Sequence, residues 1–301
     1  MKRLQGVYTV LPTPFDENGA VDHESLRRAI DLFLADGVSG FTALGVTSEV
    51  ARLSDAERHE VLETTMDHVN GRVPVIVGAT GSGLDTCLGY CAAAEKAGAA
   101  GVMVSPPRMP KLNSAYVHRH FAAIADKFDF AIVIQDYPPI SGYTMEAALL
   151  VDVCRKIPSA RTIKLEDAPT PYKTARIREL EDGLGIDIFG GLGGGYLLEE
   201  LISGATGAMT GFAYPKLLVE VVSHWNAGRK DEATAFFYRH APLMRFEFQE
   251  GIGMAIRKEM LKRRGALRHA GIRPPGATLD RSTTEALDRI LKWFDLDRES
   301  K

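Results

Sequence analysis

The sequence predicts an α/β protein of the (β/α)8 TIM-barrel type with a C-terminal helical extension. Three observations carry that prediction. Eight short β-rich runs recur between residues 6 and 212, helix-period segments lie between them, and beyond about residue 228 the pattern is helical only.

The first run, GVYTVLPTP (6–14), precedes the helix-period segment HESLRRAIDLFLADG (23–37). GFTALG (40–45) follows it and leads to a second such segment, DAERHEVLETTMDHVNG (55–71). VPVIVGAT (73–80) and GVMVSPP (101–107) come next, and NSAYVHRHFAAIADKF (113–128) carries the chain to AIVIQDYP (131–138). RTIKLE (161–166), IDIFGGLGG (186–194) and GAMTGF (207–212) complete the eight. Several helical segments open after Ser, Asp or Asn and end near Gly, as helix caps require. Strands joined by crossover helices pair in parallel, and eight such units in about 210 residues suit a closed barrel. An open doubly wound sheet would need a switch point and a GxGxxG turn after its first strand, which is missing. The three segments DEATAFFYRHAPLMRFEFQEG, GMAIRKEMLKRRG and STTEALDRILKWFD form the tail. The expected division is a barrel domain over 1–227 and a helical subdomain over 228–301.

Composition narrows the function. The 301 residues are 45% hydrophobic, ample for a sizeable core, and 36 Lys and Arg against 39 Asp and Glu leave a net charge of −3. Such a balance provides no field for nucleic acid or an anionic membrane, so a small-molecule substrate is expected. The basic residues Arg257, Lys258, Lys262, Arg263 and Arg264 read as a solvated helix face or a subunit contact. Three cysteines are too few for a disulfide framework, which points to a reducing compartment. Cys87 and Cys91 share a helix face at i and i+4, but with no His or Cys partner nearby they read as small buried thiols, and no metal site is expected. No window approaches the roughly 18 apolar residues that span a bilayer, so a cytoplasmic protein is expected.

In a barrel of this kind the chemistry sits at the carboxyl ends of the strands. The sixth run places Lys164 and Glu166 two residues apart, on one face, with Ile163 and Leu165 on the other. Two apolar residues suit the outer face, which puts Lys164 inside the barrel and Glu166 nearer its mouth. A buried ion pair is a weak source of stability, so chemistry is the better account of the two charges. A lysine in an apolar surround has its ammonium form disfavoured, and a neutral amine attacks a carbonyl to form a Schiff base. The protonated imine drains electrons from the adjacent carbon, and Glu166 is placed to move the proton. At the end of the second run, GVTSE (45–49) offers backbone N–H groups with the hydroxyls of Thr47 and Ser48 for a carboxylate.

With these pieces in place the chain resembles the dihydrodipicolinate synthase and N-acetylneuraminate lyase family of class I aldolases over nearly its full length. The resemblance rests on TPF (13–15), GVTSE against the family's GTTGE, RVPVIVGAT (72–80), AAAEKAGAAGVMVSPP (92–107), IKLE against IK(E/D), and SGATGAMTG (203–211). It implies that Lys164 forms the Schiff base with a 2-oxo acid and that the backbone at Val46 and Thr47 binds its carboxylate. It also implies a homotetramer, a dimer of dimers, and no cofactor beyond the imine itself.

The departures bear on which reaction follows. Family synthases end strand five as YNxP, whereas this chain has IQDYPP, with Gln135 in the tyrosine's place and Tyr137 two residues further toward the mouth. The family arginine that grips a semialdehyde carboxylate aligns with Ile140, and a second tyrosine after strand four is replaced by Arg108. Gln-Asp on strand five with Lys-x-Glu on strand six is similar to 2-keto-3-deoxy-L-arabonate dehydratase-like members. The expectation is therefore a lyase acting on a 2-keto-3-deoxy sugar acid, by dehydration or retro-aldol cleavage. Lys164, Glu166 and Gln135 would be catalytic, with Val46, Thr47, Ser48, Tyr137, Gly191 and Leu192 binding substrate. The last two belong to GGLGGG (190–195), where glycines let backbone approach a polyhydroxylated ligand or simply form a flexible turn. A 4-hydroxy-tetrahydrodipicolinate synthase, a phosphate-handling barrel enzyme and a non-catalytic sensor or scaffold remain the alternatives.

Overall fold

The computed structural model describes residues 3–296. Its eight strands are β1 (Gly6–Val10), β2 (Gly40–Ala43), β3 (Val75–Gly78), β4 (Gly101–Val104), β5 (Ala131–Asp136), β6 (Thr162–Leu165), β7 (Asp187–Gly190) and β8 (Gly207–Thr210). They pair in parallel in chain order and β8 closes on β1, so the sheet has no edge. The helices are α1 (His23–Ala35), α2 (Asp55–Val69), α3 (Leu84–Lys96), α4 (Ser114–Ala125), α5 (Pro138–Ser141), α6 (Ala147–Lys156), α7 (Thr170–Leu180), α8 (Leu197–Ile202), α9 (Pro215–Asn226), α10 (Lys230–Glu247), α11 (Gly253–Arg263) and α12 (Arg281–Trp293).

The caps expected from sequence are formed. Asp22, Ser54, Asn113 and Asp280 each accept a hydrogen bond from a backbone N–H in the first turn of α1, α2, α4 and α12, satisfying donors that the helix cannot. The strands are shorter than the β-rich runs that announced them. Pairing in β1, β4 and β5 stops before Pro12, Pro106 and Pro138, which lack the N–H a ladder needs, and the remainder of each run becomes loop at the carboxyl end.

Alternation along the strands builds two cores. Tyr8, Ile76, Met103, Val133, Phe189 and Met209 fill the barrel interior, and the opposite strand faces pack on helices, where Leu26, Ile30 and Phe33 of α1 are fully buried. Each such side chain contributes about 1.5–3 kcal/mol on burial. Tyr8 and Phe189 meet edge to face with ring centroids 5.4 Å apart. Where β8 meets β1, Gly207 has φ +155°, and a Cβ there would overlap the Gly6 carbonyl. Gly207→Ala is thus expected to lower the free energy of unfolding by about 3 kcal/mol or more. Gly89→Ala, at an open and exposed position in α3, should leave it unchanged or raise it by about 0.5–1 kcal/mol. Urea titration of both variants checks the contrast.

Three of the tail's five clustered basic residues, Arg257, Lys258 and Arg264, are turned away from solvent, against expectation. They retain only 4%, 3% and 7% side-chain exposure, because α11 lies on the barrel and turns these side chains into it. Arg264 pairs with Asp36 at the end of α1 at 2.9 Å, and Lys258 pairs with Glu49 in the loop after β2. Lys262 is exposed, and Arg263 is half-buried and pairs with Glu259 and Asp288. Cys87, Cys91 and Cys154 are free and buried. The fold does bring a histidine to Cys87: its neighbour Cys91, and then His120 of α4, hold its thiol below the ordinary value. Among the described residues no group of three His, Cys, Asp or Glu side chains is arranged to hold a metal ion. No described helix is long and apolar enough to cross a membrane.

Candidate active site at the carboxyl end of the barrel

Lys164 sits in the interior layer of β6, opposite Gln135 on β5 and Phe189 on β7. Ile163 and Leu165 are fully buried in the outer core, as alternation requires. Glu166 is one residue past the strand, yet its N–H still donates to the Asp136 carbonyl at 2.9 Å, so its side chain keeps the inward direction set by Lys164.

Two groups converge on one carboxylate oxygen. Lys164 Nζ lies 3.2 Å from Glu166 Oε2, and Gln135 Nε2 donates to the same atom at 2.8 Å. Lys164 and Glu166 retain 5% and 11% of their side-chain exposure. The expected apolar surround of the lysine is corrected by this contact: its head group has a carboxylate partner. Gln135 is held at its other end too, since the Ser105 hydroxyl donates to its backbone carbonyl at 3.1 Å and lies 3.4 Å from its Oε1. Such a buried ion pair adds little stability, because desolvation of two charges offsets their attraction. Chemically, it sets a primary amine beside a base that can take the proton released when the amine attacks a carbonyl.

Gly191 explains how Glu166 fits. A Cβ on Gly191 would overlap the Glu166 side chain, so the space left by that glycine is filled by protein. The carbonyls of Gly191 and Leu192 accept hydrogen bonds from Gly194 and Gly195 within their own turn, at 2.9 and 3.2 Å. Both residues were expected to bring backbone to a ligand; the close approach present within the protein itself is that of Gly191 to Glu166.

The Val46–Ser48 turn divides its work. Ser48 Oγ accepts from the Gly45 N–H at 3.1 Å and donates to the Leu11 carbonyl at 2.5 Å, so this buried hydroxyl is committed to the turn and unavailable to a ligand, contrary to expectation. Among the described residues, the N–H groups of Val46 and Thr47 have no acceptor. Two adjacent unbonded amides are suited to a carboxylate. Two cavities reach the turn, one at Val46 and one at Thr47. One, of about 450 Å³, is lined by Gly45, Val46, Thr80, Met103, Gln135 and Ile140. The other, of about 260 Å³, is lined by Thr47, Gly193, Gly211, Glu247 and Arg257 among others. Tyr137 is half-buried at the end of β5, and burial, then the charges of Glu166 and Glu250, push its phenol up from its ordinary value. The stem of Arg108 lies 3.5 Å from the position of a Cβ on Gly142, in the segment that follows β5.

Sequence reasoning missed the outer brace. Asp136 and Asp167, neighbours in sequence of Gln135 and Glu166, point the other way, and Lys173 of α7 donates to both at 2.6 and 2.8 Å. Burial pushes the Asp136 carboxyl up to about 6 despite that lysine. Their presence in QDY and LED was visible, but only the position of α7 brings Lys173 between them.

Glu200 of α8 and Glu247 of α10 are further buried carboxyls. Glu200 Oε1 accepts from Thr170 Oγ1 at 2.6 Å, and its other oxygen lies against Gly190 in space a Cβ would fill. Glu247 accepts from the Ala213 N–H at 2.9 Å. Burial pushes both up to about 7. A carboxyl raised in this way contributes stability that is fully present below the unfolded value near 4.5 and lost as pH rises through about 7. Between pH 5 and 8 Glu200→Gln is therefore expected to lose on the order of 2–3 kcal/mol less stability than wild type. Urea unfolding at the two pH values measures the difference.

Comparison with known proteins follows the same lines. The model of the family described as dihydrodipicolinate synthetase matches residues 3–293. The chain is 32% identical over 303 residues to L-2-keto-3-deoxyarabonate dehydratase of Azospirillum brasilense, covering 97% of this chain and 95% of that one. It is 29% identical over 291 residues to 4-hydroxy-tetrahydrodipicolinate synthase of Porphyromonas gingivalis, covering 96% of each. The crystal structure of dihydrodipicolinate synthase from Rhodopseudomonas palustris superposes with a TM-score of 0.90 at 33% identity, over 96% of this chain and 97% of that one.

Proposed function

The chain belongs to the dihydrodipicolinate synthetase family, and from that premise we propose that it dehydrates a 2-keto-3-deoxy sugar acid through a Schiff base on Lys164. The observation that carries this reading is the convergence of Lys164 and Gln135 on Glu166 Oε2. The Lys164 amine adds to the C2 ketone and water leaves, giving a protonated imine. The imine acidifies C3, and Glu166 takes that proton to leave an enamine. The enamine expels the C4 hydroxyl, which departs as water with the proton Glu166 returns. Hydrolysis of the remaining imine frees the product and restores the amine. The electron sink is the imine, so this route needs no cofactor.

Dehydration is favoured over retro-aldol cleavage by the residue in the tyrosine's place. Gln135 cannot give up and regain a proton as a phenol does, and its amide is already spent on Glu166 and Ser105. Proton transfer then falls to Glu166. The similarity to a 2-keto-3-deoxyarabonate dehydratase supports the same choice. Ile140, which stands in the place of the family arginine and lines the cavity beside Val46, carries no charge for the semialdehyde of the synthase reaction. The carboxylate of the 2-oxo acid falls to the amides of Val46 and Thr47. Assembly as a homotetramer is part of this reading, and sedimentation checks it.

Incubation with pyruvate and borohydride tests the imine. A stable mass increment on the peptide that contains Lys164 is expected, and no increment with any of several 2-oxo acids would return the protein to the sensor or scaffold reading. A panel of 2-keto-3-deoxy acids, with products followed by mass spectrometry, separates loss of water from release of pyruvate. Activity only with pyruvate plus aspartate semialdehyde would overturn the dehydratase assignment.

A further inference from the structure

We propose that Arg257, on α11 of the C-terminal extension, is a positioning residue that holds the Val46–Thr47 turn in the shape that binds the 2-oxo acid's carboxylate. The inference rests on the reading of that turn given above and adds the element that sets its geometry.

The turn is anchored unevenly. Its Ser48 end is tied to the loop after β1 through the Ser48 hydroxyl and through Thr13 Oγ1, which donates to the Ser48 carbonyl at 2.6 Å. Glu49 follows in a left-handed conformation with φ 58°, its buried carboxylate paired with Lys258 and 3.6 Å from Arg52. Thr47 has none of these ties. Its side chain meets Arg257 Nη1 at 3.4 Å, its one side-chain hydrogen bond among the described residues. Arg257 Nη2 donates to the carbonyl of Val10, the last residue of β1. One rigid guanidinium thus spans the end of β1 and the middle of the turn, a two-point hold that an ammonium cannot reproduce.

The site has been cleared for this cation. A Cβ on Gly211, just past β8, would overlap Arg257 Nη1 and come within 2.9 Å of Thr47 Oγ1. Glu247 supplies a counter-charge at 3.9 Å from Nε, too far for a hydrogen bond, and the buried Nε has no hydrogen-bond partner among the described residues. A buried cation with an unmet donor is costly, and charge pairing alone does not account for it. Of its two made contacts, one holds the turn at Thr47 and the other ties it to the end of β1 at Val10. Among the described residues neither Val46 nor Thr47 has an acceptor for its N–H, so the turn gains nothing from a shape that leaves both amides open unless something outside it holds that shape.

Borohydride trapping of Lys164 over a range of pyruvate concentrations tests this, run beside methyl pyruvate, which offers the same ketone without a carboxylate. Arg257→Lys is expected to raise the half-saturating pyruvate concentration about tenfold, the scale of one hydrogen bond to a charged group, and to leave that for methyl pyruvate within about twofold. Thr47→Val, which removes only the hydroxyl contact, should move pyruvate in the same direction and carries the test if Arg257→Lys does not fold. Equal shifts for both ketones, or no shift for pyruvate in either variant, would overturn the proposal while leaving the imine intact. A wild-type protein that traps neither ketone overturns the Schiff-base reading itself and this inference with it.

Discussion

Lys164→Arg is expected to abolish imine trapping and to lower kcat/KM by about 10³-fold or more, the scale of losing a group that forms the covalent intermediate, while the barrel stays folded. The guanidinium remains protonated at any working pH and has no lone pair to offer a carbonyl. Arginine is the informative substitution because of Glu166. The carboxylate retains 11% exposure and lies 3.2 Å from Lys164 Nζ, so Lys164→Ala would leave a nearly buried charge short of its cation. Breaking a buried pair in that way costs about 3–5 kcal/mol, and lost activity would then be confounded with lost fold. With arginine the positive charge stays beside Glu166, and circular dichroism and urea unfolding should report a native barrel. Mass spectrometry after borohydride provides the direct readout. A borohydride-stable adduct on another lysine of Lys164→Arg, with turnover preserved, would sink the assignment of this residue.

How far the sequence revealed this site depended on whether a feature is local. Lys164 and Glu166 were legible because strand alternation has a period of two and needs no knowledge of the partner strand. Gln135 was legible as the residue in a family tyrosine's place, and the register that puts it opposite Lys164 agrees. Ser48 was misread since its hydroxyl could serve the ligand or the turn, and only the approach of the Leu11 carbonyl decides between them. At Gly191 the missing Cβ was visible, but the Glu166 side chain that fills its space comes from the segment after β6. Arg257 and Lys258 were illegible. A basic run on a helix is most often a solvated face, and nothing in its spacing tells that α11 lies against the barrel with those residues inward.

The two faces of β5 and β6 show why the site tolerates its inner charges. On the inner face Gln135, Lys164 and Glu166 form one hydrogen-bonded group; on the outer face Asp136 and Asp167 are bound by Lys173. The outer brace ties the segment after β6 to the end of β5, on either side of the residues that carry the inner contacts. Glu166 is thereby aimed by backbone that cannot shift without breaking a buried ion pair, which is the preorganisation a proton-transfer group requires.

Glu166→Gln is the substitution that separates forming the imine from using it. The amide keeps the shape of the carboxylate, fits the space beside Gly191, and can still face the Gln135 amide through its oxygen. Attack of Lys164 on a 2-oxo acid remains open, so borohydride should still trap pyruvate on the Lys164 peptide. Removal of the C3 proton has lost its acceptor, and turnover of the true substrate is expected to fall by about 10²–10⁴-fold, the range associated with a positioned general base. Exchange of the pyruvate methyl protons with deuterated solvent isolates that step, because it needs the imine and the base but no leaving group. Exchange should vanish in Glu166→Gln while trapping persists. Exchange that persists at the wild-type rate would remove Glu166 from the role of base and make the Tyr137 phenol, whose proton affinity is raised by burial and then by Glu166 and Glu250, the group to replace next.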